Sequence, residues 1–235
     1  NNLFTMTAIS FNIFRVSADL LHLFAMLIML YRIRTLRTCA GISLKTQEMY
    51  VLVFVTRYLD LFWNFASLYN TIMKIIFLAT TISTVYLIRF KYKHTYNKEV
   101  DTFRVLFLIV PCALLALVFH YDTSISELLW SFSIFLEAVA VLPQLLLVQR
   151  TGEVETMSAN YIACLGGYRG LYILNWIYRY FAEPGYRNWI GWAAGVVQTG
   201  LYADFFYYYF LSKYYGKKND IAKLIYTSLS PSLYI

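Results

Sequence analysis

Arg15, Arg57, Arg169 and Arg179 lie inside or at the ends of stretches apolar enough to cross a lipid bilayer. A guanidinium in hydrocarbon costs roughly 2.5 kcal/mol or more, so arginines kept there face a polar cavity. His22, Asp60 and Glu137 share the same stretches. Spacing collects these groups into faces. Arg15, Asp19 and His22 follow i, i+4, i+7; Arg57, Asp60 and Asn64 follow i, i+3, i+7, with Tyr58 beside them. Tyr168, Tyr172, Asn175 and Arg179 make one long stripe, and Arg169 and Trp176 a neighbouring one. Glu127 and Trp130 open a further segment that carries Glu137 deeper. The chemistry these groups offer is a cationic, water-filled pocket that receives an anion.

The competing reading is a closed set of ion pairs that only holds helices together. An Arg15–Asp19 or Arg57–Asp60 pair would serve that purpose as well as a functional one. The four arginines outnumber the deep acids Asp60 and Glu137, even with Asp19 added. A closed network would tend to balance, and the excess points to a visiting anion. His22 reads either as an ordinary helix contact or as a group that titrates across cellular pH beside tyrosines and a carboxylate. His94 and His120 fall near segment ends and read as solvated. Trp130 and Trp176 read first as packing and second as stacking surfaces for a ligand. The sequence holds no nucleophilic triad, Gly-rich phosphate loop or metal-ligand cluster, so an enzyme and a bound cofactor have no candidate residues. Cys39, Cys112 and Cys164 lack the spacing of a zinc site or a disulfide framework.

The elements that must position these faces follow from composition. Of 235 residues, 60% are hydrophobic and 14% charged, and the mean hydropathy is +0.54; soluble domains rarely reach such values. Spans of about 20 residues fit at about 12–32, 48–68, 71–90, 104–120, 127–148, 159–181 and 189–211. The first apolar run is full length and is expected to stay as a span. Arg32, Arg34, Arg37, Lys45, Arg89, Lys91, Lys93, Lys98, Arg150, Lys213, Lys217, Lys218 and Lys223 all fall on one side of such a bundle, while the other side has little beyond Lys74 and Arg187. The positive-inside rule places that basic side and the C-terminus in the cytoplasm, with the N-terminus across the membrane. The net charge of +7 is then a topology signal and gives no support to nucleic-acid binding.

Aligning the stretch 38–43 with 153–158 sets His22 opposite Glu137 and, after a small gap, Arg57 opposite Arg169. The expected fold is therefore an all-α membrane protein. Residues 1–212 form one seven-helix domain, with repeat 1 at about 12–90, a linker helix at about 104–120 and repeat 2 at about 127–211; residues 213–235 form a cytoplasmic tail. Two parallel three-helix repeats joined by a linker are a transporter architecture with ligand sites between the halves. Pro143-Gln144 adds a proline within a span, which frees a carbonyl and kinks the helix. It resembles the motif of the PQ-loop and SWEET group.

Phe11-Asn12-Ile13-Phe14-Arg15, Cys39-Ala40-Gly41-Ile42-Ser43, Thr56-Arg57-Tyr58-Leu59-Asp60-Leu61-Phe62, Ser67-Leu68-Tyr69-Asn70, Asp101-Thr102-Phe103-Arg104, Leu142-Pro143-Gln144-Leu145, Tyr168-Arg169, Asn175-Trp176 and Ala203-Asp204-Phe205-Phe206-Tyr207 together resemble the KDEL receptor family, the ER-lumen protein retaining receptors. The run from Gly170 to Tyr180 looks most like the plant members. The resemblance implies a SWEET-like fold and a Golgi-to-ER retrieval receptor for the C-terminal Lys- or His-Asp-Glu-Leu signal of soluble ER proteins. Binding would be tight at acidic Golgi pH, with release at neutral ER pH and return in COPI vesicles. The signal carries two acidic side chains and a terminal carboxylate, and guanidinium forks bind such groups bidentately. By the same resemblance Arg57 and Tyr58 clamp the terminal carboxylate, and Arg15 and Arg169 meet the acidic side chains. Asp60, Glu127 and Trp130, with Asn64 close by, cradle the cationic first residue, and Tyr172, Asn175, Trp176 and Arg179 line the remaining wall. His22 is the pH sensor, acting through Tyr168 and Glu137. Asp204 is linked to retrograde movement, and Lys217 and Lys218 to the coat. Tyr215 stands where many members have another lysine. The alternative is a SWEET- or PQ-loop-type proton-linked transporter of a small anionic solute, disfavoured because sugar paths carry few ions.

Overall fold

The computed structural model describes residues 12–62, 65, 67–151 and 156–215, with side chains throughout except at 62, 156–159 and 208–215. Asn64, Lys217 and Lys218 lie outside the described residues. Among the described residues the chain forms eight α-helices: α1 Ile13–Leu36, α2 Leu44–Arg57, α3 Leu68–Tyr86, α4 Leu106–Val118, α5 Ile125–Val139, α6 Leu142–Thr151, α7 Thr156–Ala182 and α8 Trp189–Tyr215. Three stretches are long and apolar enough to cross a membrane: Ile13–Leu36, Leu68–Lys91 and Ile125–Thr151.

The helix starts follow local chemistry. Side chains of Asn12, Ser43, Ser67 and Ser124 each accept a backbone N–H from the first turn of α1, α2, α3 and α5, satisfying donors that have no partner within the helix. Helix α1 ends at Arg37 in the left-handed conformation, and Gly41 at φ 74° completes the turn into α2. Helix α3 continues through a π-turn, Leu87–Lys91.

The expected span at 48–68 is not one helix. Helix α2 stops at Arg57, and a 3-10 turn, Leu59–Phe62, follows. Its 14 residues rise about 21 Å, short of a typical hydrocarbon core. The expected span at 104–120 likewise holds only 13 helical residues. The span at 127–148 is interrupted at Ala140–Val141, where Pro143 has no N–H to give to the preceding turn.

Helix α3 packs against both α1 and α2, and α8 packs against both α5 and α7. Across the two sets, α1 lies along α7 and α2 along α5, while α4 rests on α5. The core between them is apolar, with Ala25, Ile33, Val53, Leu136, Ile162 and Leu165 buried. The side chains of Leu106, Phe107, Val110, Leu114 and Leu117 on α4 stay exposed, an outer face suited to hydrocarbon.

One end of the bundle is sealed by polar groups. Buried Gln144 accepts the Ser43 N–H at 2.8 Å and donates to the Gly41 carbonyl at 2.8 Å, while its own backbone N–H donates to Thr46 Oγ1 at 3.0 Å. The break before Pro143 thus delivers an amide that joins α6 to the start of α2. Beside it, buried Asp101 accepts from the Ser43 hydroxyl at 3.0 Å and from Tyr96 Oη at 2.8 Å. Burial, and then the Asp101 bond, push the Tyr96 phenol above its ordinary range, so it remains a donor. Arg150 reaches Thr102 at the same end. Gln144→Ala would leave the buried Ser43 N–H and the partly buried Gly41 carbonyl unmatched, a loss of about 2 kcal/mol. The expected outcome is a lower thermal unfolding midpoint of the purified protein; an unchanged midpoint would mean that the amide is dispensable to the seal.

Candidate functional site

The opposite end opens into a cavity of about 420 Å³, within the range of roughly 300–1,000 Å³ common for ligand sites. It forms where α1, α3, α5 and α8 begin and α2 and α7 end. Because α2 stops at Arg57, the turn that follows tucks Tyr58 and Asp60 into the cavity wall.

The deepest feature is a buried carboxylate held by two arginines. Glu137, 2% exposed, accepts from Arg57 Nη1 at 2.6 Å, Arg169 Nη2 at 2.8 Å and Tyr168 Oη at 2.7 Å. Arg57 Nε donates to Ser133 Oγ at 3.0 Å. Two N–H groups of these arginines, at Arg57 Nη2 and Arg169 Nε, are buried without a hydrogen-bond partner among the described residues. The Arg169 guanidinium also stands 5.2–6.0 Å from the ring centres of Tyr168, Tyr172 and Trp176, a geometry favourable to a cation. Trp176 leans on α8 at Gly195, where an added Cβ would come 2.5 Å from the indole ring.

The α1 face lines the cavity as its spacing indicated. Arg15 donates to Asn70 at 2.9 Å and lies 4.0 Å from Asp19. Asp19 accepts hydroxyl bonds from Tyr69 at 3.0 Å and from Tyr172. His22 is buried and stacks flat on Tyr168, with centroids 4.0 Å apart and planes 2° from parallel. Phe77 and Phe54 enclose it from α3 and α2, and its Nε2 has no hydrogen-bond partner among the described residues. Farther out, Asn175 accepts from Asn12 at 2.6 Å, and Arg179 pairs with Glu183 at 2.8 Å while its guanidinium stands 4.1 Å from the Tyr186 ring centre.

Of the residues singled out from sequence, Arg15, His22, Arg57, Tyr58, Asp60, Trp130, Glu137, Tyr168, Arg169, Tyr172, Asn175, Trp176 and Arg179 all line this one cavity. Glu127 does not: it sits near the start of α5 and accepts from Ser131 at 3.4 Å. Asp204 is exposed on α8, apart from the cavity lining. Of the two pairs weighed earlier, Arg15–Asp19 is present, but Arg57–Asp60 is not; Arg57 turns to Glu137, and Asp60 pairs with Lys74 at 2.6 Å. Lys74 and Asn70 were missed because both sit early in an apolar helix, although they share its face at i, i+4. Tyr186 and Asn188 come from the α7–α8 connection, where no periodic signal marks them. The lining set holds five basic side chains, Arg15, Arg57, Lys74, Arg169 and Arg179, against three acidic ones, Asp19, Asp60 and Glu137. With Glu183 counted as the partner of Arg179, five basic groups face four acidic ones, so a cationic excess of one survives the pairing, and Arg57 Nη2 and Arg169 Nε are donors to spare.

A sequence profile described as ER lumen protein retaining receptor matches residues 38–179. The chain is 57% identical to ER lumen protein-retaining receptor B of Arabidopsis thaliana over 209 residues, covering 88% of this chain and 97% of that protein. It is 54% identical over 207 residues to the ER lumen protein-retaining receptor of Drosophila melanogaster and, equally, to ER lumen protein-retaining receptor 2 of Gallus gallus, with the same 88% and 97% coverage in each case. Matches of this extent and identity mean that the chain belongs to the ER lumen protein retaining receptor family.

Proposed function

We propose that the cavity captures the C-terminal Lys- or His-Asp-Glu-Leu signal of soluble ER proteins, and that the receptor carries such proteins from the Golgi back to the ER. The observation that carries this reading is the excess of arginine donors around a cavity of peptide-ligand size. A guanidinium has five N–H donors. Arg57 gives Nη1 to Glu137 and Nε to Ser133 and leaves Nη2 without a partner among the described residues, so it can donate to a second carboxylate without releasing the first. Arg57 with Tyr58 then holds the terminal carboxylate, and Arg15 and Arg169 take the acidic side chains. Asp60 and Trp130 receive the cationic first residue, a role to which Glu127 and Asn64 are also assigned, and Tyr172, Asn175, Trp176 and Arg179 complete the wall.

The membrane architecture belongs to the same proposal: seven spans as two parallel three-helix repeats, with α4 as linker. The paired contacts, α1 with α7 and α2 with α5, are those that a two-fold relation between repeats would produce, and they support it. The sealed end then faces the cytoplasm and the cavity faces the lumen. Return in COPI vesicles through Lys217 and Lys218, and a role for Asp204 in retrograde movement, complete the cycle.

The pH dependence has a definite sign. Binding strengthens on acidification only if the complex holds a proton more tightly than the free receptor. A proton on His22 adds positive charge close to Glu137, Arg57 and Arg169 in a site that receives an anion, so ligand and proton favour each other, and affinity rises as pH falls.

Binding of a labelled peptide ending in Lys-Asp-Glu-Leu, and of its C-terminally amidated twin, to purified protein at mildly acidic and neutral pH tests the reading. The free acid is expected to bind, more tightly at acidic pH, and the amide to lose most of its affinity. Arg57→Ala is expected to weaken binding at least about 100-fold, the order of cost for removing one member of a buried charge pair; affinity retained in that variant would place the terminal carboxylate elsewhere. His22→Phe keeps the aromatic stack and removes the titrating group. The ratio of affinities at the two pH values is expected to fall toward one, and a ratio left unchanged would assign the proton to another group. Absence of binding by either peptide would favour transport of a small anion instead.

A further inference from the structure

At the cavity mouth the chain supplies a cation of its own to the carboxylate that the signal's cation needs. Lys74 Nζ of α3 lies 2.6 Å from Asp60 Oδ2, and the same ammonium stands 5.8 Å from the centre of the Tyr58 ring. The pair is partly exposed, with side chains 17% and 32% accessible. Asp60 Oδ1 is buried and has no hydrogen-bond partner among the described residues, so half of the carboxylate is engaged and half is not. We propose that Lys74 is a tethered competitor of the signal's first residue: it holds Asp60 when no signal is bound and must yield to, or share with, an incoming cation, thereby setting how strongly cationic first residues are preferred over neutral ones. The inference rests on the cavity being the signal site and names the residue that tunes its selectivity.

The contrast with Glu137 supports the assignment. Glu137 is sealed between two arginines and a tyrosine, and removing a partner there leaves a buried, unmatched charge. The Lys74–Asp60 pair is open to water, and such pairs contribute little. Lysine is also a compact charge on a flexible four-carbon stem, able to swing toward the solvent that already reaches it. Two ammonium groups can share the carboxylate only against their mutual repulsion, so Lys74 taxes every signal that begins with a cation. It also adds positive charge at the mouth, which attracts any acidic peptide alike. The two effects separate in a ratio of affinities.

The experiment measures binding of three free-acid peptides, ending in Lys-, His- and Ala-Asp-Glu-Leu, to the full chain and to Lys74→Met, Lys74→Arg, Asp60→Asn and the Lys74→Met/Asp60→Asn double variant. In Lys74→Met the preference for Lys over Ala in the first position is expected to rise roughly fivefold, the equilibrium equivalent of one partly exposed ion pair. Lys74→Arg, which keeps the pair, retains the original preference. Asp60→Asn is expected to bring the preference close to one, and adding Lys74→Met to it changes nothing further. A preference that is unchanged or reduced in Lys74→Met, while the peptides still bind, overturns the role of Lys74 alone. Failure of all three peptides to bind the unaltered protein overturns the reading of the cavity, and this inference with it.

Discussion

Everything at the open end is arranged around one buried carboxylate. Glu137 sits on α5, deep among apolar side chains, and an isolated charge there would be untenable. Arg57 from α2 and Arg169 from α7 neutralise it, and in doing so they bind three helices drawn from both helical sets. Losing one member of such a cluster typically costs roughly 3–5 kcal/mol, because the remaining charges stay buried. The same cluster leaves a net positive charge, since one carboxylate faces two guanidinium groups. The atoms that cross-link the helices are thus the same ones proposed to meet the anion, and the two purposes weighed from the sequence are not exclusive.

The two ends of the bundle use polar groups differently. At the sealed end, Gln144, Ser43, Thr46 and Asp101 satisfy one another through neutral or singly charged bonds that exclude solvent. At the open end the polar groups are charged, partly accessible and provided with unused donors or acceptors. Pro143 links the two patterns. By interrupting the α5–α6 helix it turns Gln144 toward the start of α2, while the α5 segment before the break runs straight enough to carry Trp130, Ile134 and Glu137 down one face into the cavity.

Much of the cavity was legible because charge inside an apolar helix is expensive, and residues that bear that cost at i, i+3, i+4 and i+7 announce a common face. Arg15, Asp19 and His22 on α1, and the Tyr168 to Arg179 stripe on α7, were read in this way. Hydropathy could not reveal that α2 ends at Arg57, because Leu59, Leu61 and Phe62 continue the apolar run while the backbone changes to a 3-10 turn. That change redirects Asp60 to Lys74 instead of Arg57. Lys74, in the second turn of α3, read only as a charge on the sparsely basic side, and Glu127, which the resemblance set in the cradle with Asp60 and Trp130, faces Ser131. Side chains contributed by the α7–α8 connection, such as Tyr186, have no period to betray them.

Gly195 shows how an absent atom can shape a binding chamber. Helix α8 gives the cavity no charged side chain, yet its bare backbone at Gly195 is where the Trp176 ring comes to rest. A single methyl group at that point would occupy the indole's berth and press the ring inward toward Arg169, whose guanidinium already shares the space with three aromatic faces. The breadth of the chamber is therefore dictated in part from behind its wall, by a helix that gives it no charged side chain and, at this point, no side chain at all.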